Sequence, residues 1–191
     1  MPIRITGGSL RGRLIPSPST SKTRPTGSRT REALFNILQT VDGYRVLDLF
    51  AGSGIMGMEA LSRGAESVVA VEMAHSQAML ILQGYKSVKM ESRLTLLEKN
   101  VLTLPRESLC VLNGDGSIKL GFDLIYADPP FTEAYPDLRC FIQWLNPGGV
   151  AVFEAPSRNL PNWAEDDAKG KIASKIRRYG ESSLLFYYAD L

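Results

Sequence analysis

The run Val46-Leu47-Asp48-Leu49-Phe50-Ala51-Gly52-Ser53-Gly54 decides how the rest of the chain is read. Its first four, mostly apolar residues suit a buried parallel strand, and the glycines behind them make a turn that feeds a helical pattern. Glycine tolerates positive φ and lets a ligand approach bare backbone. The following helix aims its first N–H groups into the turn, which favours negative charge there. Glu72 closes the next apolar run, Val68-Val69-Ala70-Val71. Strand, glycine turn, helix, strand and acid form the first half of a Rossmann-type nucleotide site.

Two kinds of nucleotide fit that half-site. Gly52, Gly54 and Gly57 satisfy G-x-G-x-x-G, and Glu72 stands where a ribose-binding acid is expected, which alone suits NAD and an oxidoreductase. Asp48 weighs the other way. A carboxylate beneath the turn repels a pyrophosphate and suits a cationic or hydrogen-bond-donating ligand. The run from Asp48 to Gly54 resembles motif I of class I S-adenosylmethionine (SAM) methyltransferases. In that family the glycine loop holds the methionine end of SAM, and the acid ending the second strand grips both ribose hydroxyls.

A chain of 191 residues fits one domain with a sizeable core. Hydrophobic content of 44% and charged content of 22% are ordinary for a soluble globular protein. No apolar run approaches the roughly 18 residues of a membrane span. The start, Met1-Pro2-Ile3-Arg4, lacks the apolar core of a signal peptide. Cys110 and Cys140 stand far apart without metal-ligand spacing, so free buried thiols, a cytoplasmic setting and no metal are expected. A monomer is the default expectation.

The net charge of +2 hides an asymmetry. Residues 1–31 carry Arg4, Arg11, Arg13, Lys22, Arg24, Arg29 and Arg31 without one acid, leaving the remainder net acidic. A basic end on an acidic body implies an arm that binds a polyanion. Ile3–Thr6 and Leu10–Pro16 flank Gly7-Gly8 as a hairpin, and residues 1–22 form the expected basic arm ahead of a domain spanning 23–191. A helix over Arg29–Thr40 follows, with Thr26 or Ser28 as its cap.

Beyond the glycine turn, Ile55–Arg63 reads as a helix ended by Gly64. Ser76–Glu98 reads as two helices broken near Gly84. Leu109–Leu112 is a third strand, Phe122–Ala127 a fourth and Val150–Glu154 a fifth, with a helix over Leu138–Leu145. Lys171–Tyr179 and Ser183–Ala189 form a closing hairpin around Gly180. Five strands alternating with helices imply a parallel α/β sheet.

The chemistry rests on Asp128-Pro129-Pro130-Phe131, which ends the fourth strand at the same sheet edge as the glycine turn. Two prolines fix two φ angles and remove two N–H donors. The loop therefore offers acceptors, the Asp128 carboxylate and the Pro129 carbonyl, beside the flat face of Phe131. An exocyclic nucleobase amine is a poor nucleophile because its lone pair is delocalised into the ring. Acceptors on both its hydrogens turn that lone pair out of the ring plane, and an aromatic stacks on the extruded base. Positioning and electrostatics carry such a transfer without a metal. The quartet resembles motif IV of amino-methyltransferases acting on adenine N6, cytosine N4 or guanine N2.

A closer resemblance spans nearly the whole chain. Gly7-Gly8-Ser9-Leu10-Arg11-Gly12-Arg13, Arg24-Pro25-Thr26, Arg29, Arg31–Leu38, the glycine loop with Glu59–Ala65, and the Asp-Pro-Pro-Phe quartet occur in the order of the RsmD-type family. That family methylates guanine N2 in bacterial small-subunit ribosomal RNA. The resemblance implies a Rossmann-like class I methyltransferase fold: a seven-stranded, mostly parallel sheet with one antiparallel strand, plus a small N-terminal β-hairpin. It implies that Asp48, Phe50, Gly52, Ser53 and Gly54 frame the methionine end of SAM. Glu72 holds the ribose, Met73 packs on the adenine and Asp115 faces its amino group. Asp128, Pro129 and Phe131 are the catalytic set, and Arg4, Arg11, Arg13, Arg24, Thr26 and Arg29 bind the RNA. The expected partner is the small ribosomal subunit and the expected target guanine 966 of its RNA. Within the same chemistry stands adenine N6 of RNA or DNA; outside it stands a SAM-retaining, non-catalytic nucleic-acid binder. His75, the only histidine, reads as a helix-start surface residue, and Trp144 and Trp163 read as packing.

Overall fold

The computed structural model describes residues 2–16, 27–105, 111–112, 118–119, 121–131, 135–164 and 174–189. In chain order the strands are β1 (Ile3–Arg4), β2 (Leu14–Ile15), β3 (Arg45–Leu49), β4 (Ser67–Val71), β5 (Leu94–Leu97) and β6 (Val111–Leu112). Then come β7 (Ile118–Lys119), β8 (Phe122–Ala127), β9 (Leu145–Pro156), β10 (Ser174–Tyr179) and β11 (Ser182–Tyr188). The α-helices are α1 (Ser28–Leu38), α2 (Ile55–Ser62) and α3 (His75–Ser87). Seven strands form one sheet in the order β10-β11-β9-β8-β3-β4-β5. β5, β4, β3, β8 and β9 are parallel neighbours. β11 is antiparallel to both β9 and β10, so it alone is reversed. This is the expected seven-stranded sheet with one antiparallel strand.

All five residues of β3 are buried. Val46 packs into the core on one face and Leu47 and Leu49 into the core on the other. A strand covered on both sides reads as a continuous apolar run rather than an alternation. Gly64, at φ 106°, turns the chain after α2 as expected.

Several local expectations differ from the structure. α3 runs unbroken through Gly84. A Cβ there would lie 2.6 Å from Met58 Cε and 3.0 Å from Ile15 Cγ2, so this glycine allows close packing and does not break the helix. The second helix expected after it is instead β5, where Leu94 pairs with Val68 of β4. Its four residues are only half-buried at the sheet edge, which blurs the strand pattern. Val111–Leu112 does not join the main sheet; it pairs with Ile118–Lys119 in a two-stranded sheet of its own. Leu138–Leu145 is not an α-helix but a 3-10 stretch over Arg139–Trp144. β9 then begins at Leu145, earlier than expected, with an irregularity in its pairing opposite Phe122 and Leu124. Ser28 is the first helical residue of α1 and not its cap; Gly27 precedes it without a side-chain capping bond. Cys140 is exposed, because the short stretch carrying it turns Phe141 and Trp144 inward instead.

The hairpin of β1 and β2 is docked against the body of the domain. Ile5 and Ile15 are fully buried. Glu59 of α2, itself wholly buried, accepts from the Thr6 amide at 2.9 Å and the Thr6 hydroxyl at 2.6 Å. Arg63 pairs with the same carboxylate at 2.9 Å. Arg31 of α1 places its Nε 3.9 Å from Glu59 and donates through Nη2 to the Arg4 carbonyl at 2.9 Å. The hairpin turn rests on the last residues of α2: the Ser9 amide donates to the Ser62 carbonyl at 2.7 Å, and Ser62 Oγ donates to the Gly7 carbonyl at 2.6 Å. A helix of this length is about 12 Å long, and the hairpin turn sits at its carboxyl end.

Candidate active site

Three neighbouring strands end together. Leu49 of β3 pairs with Val71 of β4 on one side and with Ala127 of β8 on the other. The next residues, Phe50, Glu72 and Asp128, therefore leave the sheet side by side at its carboxyl edge. Strands lie about 4.8 Å apart, which sets Glu72 and Asp128 roughly 10 Å apart across β3.

The turn after β3 is held in left-handed backbone. Phe50 has φ 59°, Gly52 φ 55° and Gly54 φ 70°. A non-glycine residue in that region carries strain that the surrounding contacts must offset. Glu72 supplies one such contact, accepting from the Gly52 amide at 2.9 Å and from the Ala74 amide at 2.8 Å. Each of its oxygens keeps a lone pair for a further donor. Asp48 supports the turn from beneath: it is 1% exposed and accepts from the Gly57 amide in the first turn of α2 at 3.2 Å. Burial pushes its carboxyl up to about 7, with the Gly57 N–H opposing and the Glu72 charge adding to the rise.

The glycines of the fingerprint divide by role. A Cβ at Gly54 would lie 2.9 Å from Ile81 Cγ2, and one at Gly57 would lie 2.4 Å from Tyr85 Oη and 2.7 Å from Val68 Cγ1. Both are packing glycines. A Cβ at Gly52 would meet only the Phe50 carbonyl, at 3.8 Å. Gly52 is the one of the three that leaves space above bare backbone. Ser53 and Phe50 are half-buried beside it, and Met73 is 67% exposed next to Glu72. Open glycine backbone, a carboxylate with acceptor capacity and an exposed apolar side chain form a set that fits an adenosyl group with free ribose hydroxyls. Asp115 lies outside the described residues.

At the end of β8, Asp128 is half-buried, Pro129 is buried and Phe131 is 47% exposed. Tyr135, which the sequence reading passed over, stands behind this loop. Its hydroxyl donates to the Glu154 carbonyl, and burial together with the nearby Asp128 charge pushes its phenol far above the usual range. The signal available for it was an aromatic residue four positions beyond Phe131. Tyr126 of β8 donates to Glu154 Oε2 at 2.6 Å, so β8 and β9 are tied by side chains immediately below Asp128. Trp163 packs among Tyr135, Phe153 and Tyr187, and Trp144 packs edge-on to Phe141. His75 opens α3 with 72% of its side chain exposed, 2.8 Å from Glu98.

Among the described residues, those expected to hold cofactor and base lie at one edge, but not all of those expected to hold RNA do. Arg4, Arg11, Arg13 and Arg29 are exposed. Arg11 belongs to the hairpin turn, which the length of α2 separates from the glycine loop. Arg24 and Thr26 lie outside the described residues. Among the described residues no group of three or more His, Cys, Asp or Glu side chains is placed to hold a metal. No helix among them is long and apolar enough to cross a membrane.

Sheet order, glycine turn and the acid after β4 define a class I methyltransferase fold. The family model described as conserved hypothetical protein 95 matches residues 3–188, and the chain belongs to that family, the RsmD-type methyltransferases. Ribosomal RNA small subunit methyltransferase D of Escherichia coli K12 is 36% identical, over 91% of this chain and 88% of its own. The Escherichia coli protein yhhF superposes with a TM-score of 0.75 at 26% identity, covering 100% of this chain and 99% of that one. The Thermus thermophilus 16S rRNA N2 G1207 methyltransferase RsmC, solved with AdoMet and guanosine, shares the fold. Its TM-score is 0.70 at 23% identity, over 99% of this chain and 50% of RsmC.

Proposed function

We propose that this protein transfers a methyl group from SAM to the exocyclic N2 of a guanine in small-subunit ribosomal RNA. The target is position 966, and the substrate is the assembled or assembling 30S particle in the cytoplasm. The observation that carries the reading is the exit of Asp128-Pro129-Pro130-Phe131 from the strand next to the glycine turn, with Glu72 on the other side of that turn. Membership of the RsmD-type family supports it.

SAM supplies, when bound, a methyl group made electrophilic by its sulfonium. The chain's own residues do the rest. Gly52 offers open backbone to the methionine end, framed by Phe50, Ser53 and Gly54, with Asp48 fixing the turn from below. Glu72 accepts from the ribose hydroxyls, Met73 covers the adenine face, and Asp115 is the proposed partner of the adenine amine. Asp128 and the Pro129 carbonyl accept the two hydrogens of the guanine amine, which turns its lone pair out of conjugation. Phe131 stacks on the extruded base. Arg4, Arg11, Arg13, Arg24, Thr26 and Arg29 hold phosphates, which fix register without reading sequence. The hairpin turn's distance from the reacting edge suits a large, folded RNA substrate that reaches both.

The test supplies labelled SAM with under-methylated small ribosomal subunits, naked small-subunit RNA and duplex DNA, followed by nucleoside analysis. Label in N2-methylguanosine from the subunit is the expected result. Label in N6-methyladenine keeps the fold and the amine chemistry but overturns the assigned base. SAM binding with no label in any substrate overturns the catalytic reading.

A further inference from the structure

We propose that the outer strand β10 is a second RNA-phosphate contact, with Arg177 and Arg178 receiving the backbone that flanks the base held at Asp128. The inference rests on the RNA-methylating reading above and extends it to residues outside the N-terminal hairpin.

Register places these arginines. Phe153 of β9 pairs with Ala127, so Glu154 lies level with Asp128. Glu154 pairs with Leu184 of β11, and Leu184 pairs with Arg177 of β10. Arg177 therefore stands in the same row as Asp128. Arg178, opposite Ser183 and Ala155, lies one residue closer to the carboxyl edge and, by strand alternation, leaves the opposite face, so the two arginines straddle the edge strand. Three strand spacings separate β8 from β10, roughly 14 Å. β10 also runs in the direction of β8, so its last residues and the turn at Gly180 open onto the same edge as the candidate active site. The Ser157 amide donates to the Glu181 carbonyl at 2.8 Å, tying that turn to the end of β9.

The side of the sheet matters as much as the height. Glu72 and the glycine turn lie toward β4, on one side of Asp128. β10 lies on the opposite side, across β9 and β11.

Lys175, Arg177 and Arg178 are all exposed. A basic edge strand has a simpler explanation, since charge on an edge blocks pairing with another sheet. The other edge of this sheet argues against that as the whole cause. β5 reads Leu-Thr-Leu-Leu and carries no charge at all. There the charges flank the strand, with Arg93 before it and Glu98 and Lys99 after it, and Arg93 is spent on the Ala65 and Glu66 carbonyls, whereas β10 carries its cations within the strand, at the edge beyond the base-binding loop. Chain-adjacent Glu165, Asp166 and Asp167 lie outside the described residues, and the experiment measures whether the cations still reach RNA in their presence.

The experiment compares the full-length protein with Arg177→Ala/Arg178→Ala and Arg177→Lys/Arg178→Lys. It measures affinity for small-subunit RNA across a salt series, affinity for SAM, and kcat and KM for subunit methylation. Loss of two phosphate contacts flattens the log–log salt slope by about 1.5 to 2. The Ala variant is expected to show that flattening and a KM raised about tenfold or more, with kcat at saturating substrate and SAM affinity unchanged. The Lys variant, which keeps point charges for phosphate, is expected to stay near wild type. An Ala variant with wild-type slope and KM overturns the proposal, as does a Lys variant that fails as badly as Ala. Wild-type protein that neither binds nor methylates RNA overturns the reading beneath it instead.

Discussion

The Gly52 amide donates to one oxygen of Glu72 at 2.9 Å, while the other oxygen takes the Ala74 amide at 2.8 Å. One carboxylate thus fixes both the glycine turn and the chain leaving β4. Glu72→Ala removes both ties and the acceptors proposed for ribose. Because Glu72 is only half-buried, the fold is expected to survive while SAM affinity falls at least tenfold, as measured by calorimetric titration.

Two glycines of one fingerprint are expected to fail in different ways. Gly57→Ala drives a methyl to 2.4 Å from the Tyr85 hydroxyl in a filled core, and overpacking of this kind costs about 1–3 kcal/mol. Gly52→Ala meets no such obstacle and carries only left-handed backbone strain of about 1–2 kcal/mol, but its methyl occupies the space left for ligand. Thermal melts with and without SAM separate them. Gly57→Ala lowers the apo midpoint more, whereas Gly52→Ala mainly abolishes the shift that SAM produces.

Asp48 gives the fold a pH dependence of unusual sign for an acid. Its native carboxyl is raised to about 7 by burial, against about 3.9 in an unfolded chain. Between these values the native state holds a proton that the unfolded state has released, so stability falls as pH rises through that window. Below it the contribution is fully present. Asp48→Asn removes this titration. Denaturant midpoints of wild type are expected to decline from pH 4 toward pH 7 relative to the variant, and parallel curves would refute the assignment.

Glu59 joins Thr6, Arg63 and Arg31 in a buried polar group between hairpin and helices. Removing one partner of a buried ion pair leaves the other uncompensated, at about 3–5 kcal/mol. Glu59→Ala is expected to lose stability of that order in urea unfolding. Thr6→Val, which leaves the Thr6 amide bond to Glu59 in place, is expected to lose much less.

Asp128→Asn keeps an acceptor oxygen but gives up the charge that strengthens as the amine becomes positive. A loss of about 10²–10³ in kcat is expected from removal of one such electrostatic contact, with SAM affinity unchanged. Single-turnover methylation with saturating subunit measures it. A variant with full rate would remove Asp128 from the chemistry.

Much of this was readable in the chain because the central strands are buried on both faces. Val46–Leu49, Val68–Val71 and Phe122–Ala127 were located within a residue, and the acids at their ends followed from the parallel topology. The elements whose structure differs from the sequence expectation share a different cause. Leu94–Leu97 is a half-buried edge strand behind a polar stretch, and composition there does not separate strand from helix. Gly84 is tolerated in a helix because Met58 and Ile15 close over it, a tertiary fact without local signature. Nor does sequence reveal that the basic hairpin seats its turn on the far end of α2, since the contacts span more than fifty residues.

β11 lies between β9 and β10 although it follows both in the chain. On a ribosome, β10 thus emerges with no neighbour to pair with and waits until residues 182–188 have cleared the exit tunnel. The outer third of the sheet is consequently a late, non-local closure, the kind of step that slows folding and leaves strand edges open to other chains. A chain released before Ser182 would be expected to hold its glycine turn yet present Lys175, Arg177 and Arg178 on an unanchored ribbon. Its binding to nucleic acid would then be a property of an unfinished protein, which gives quality control a distinct species to recognise.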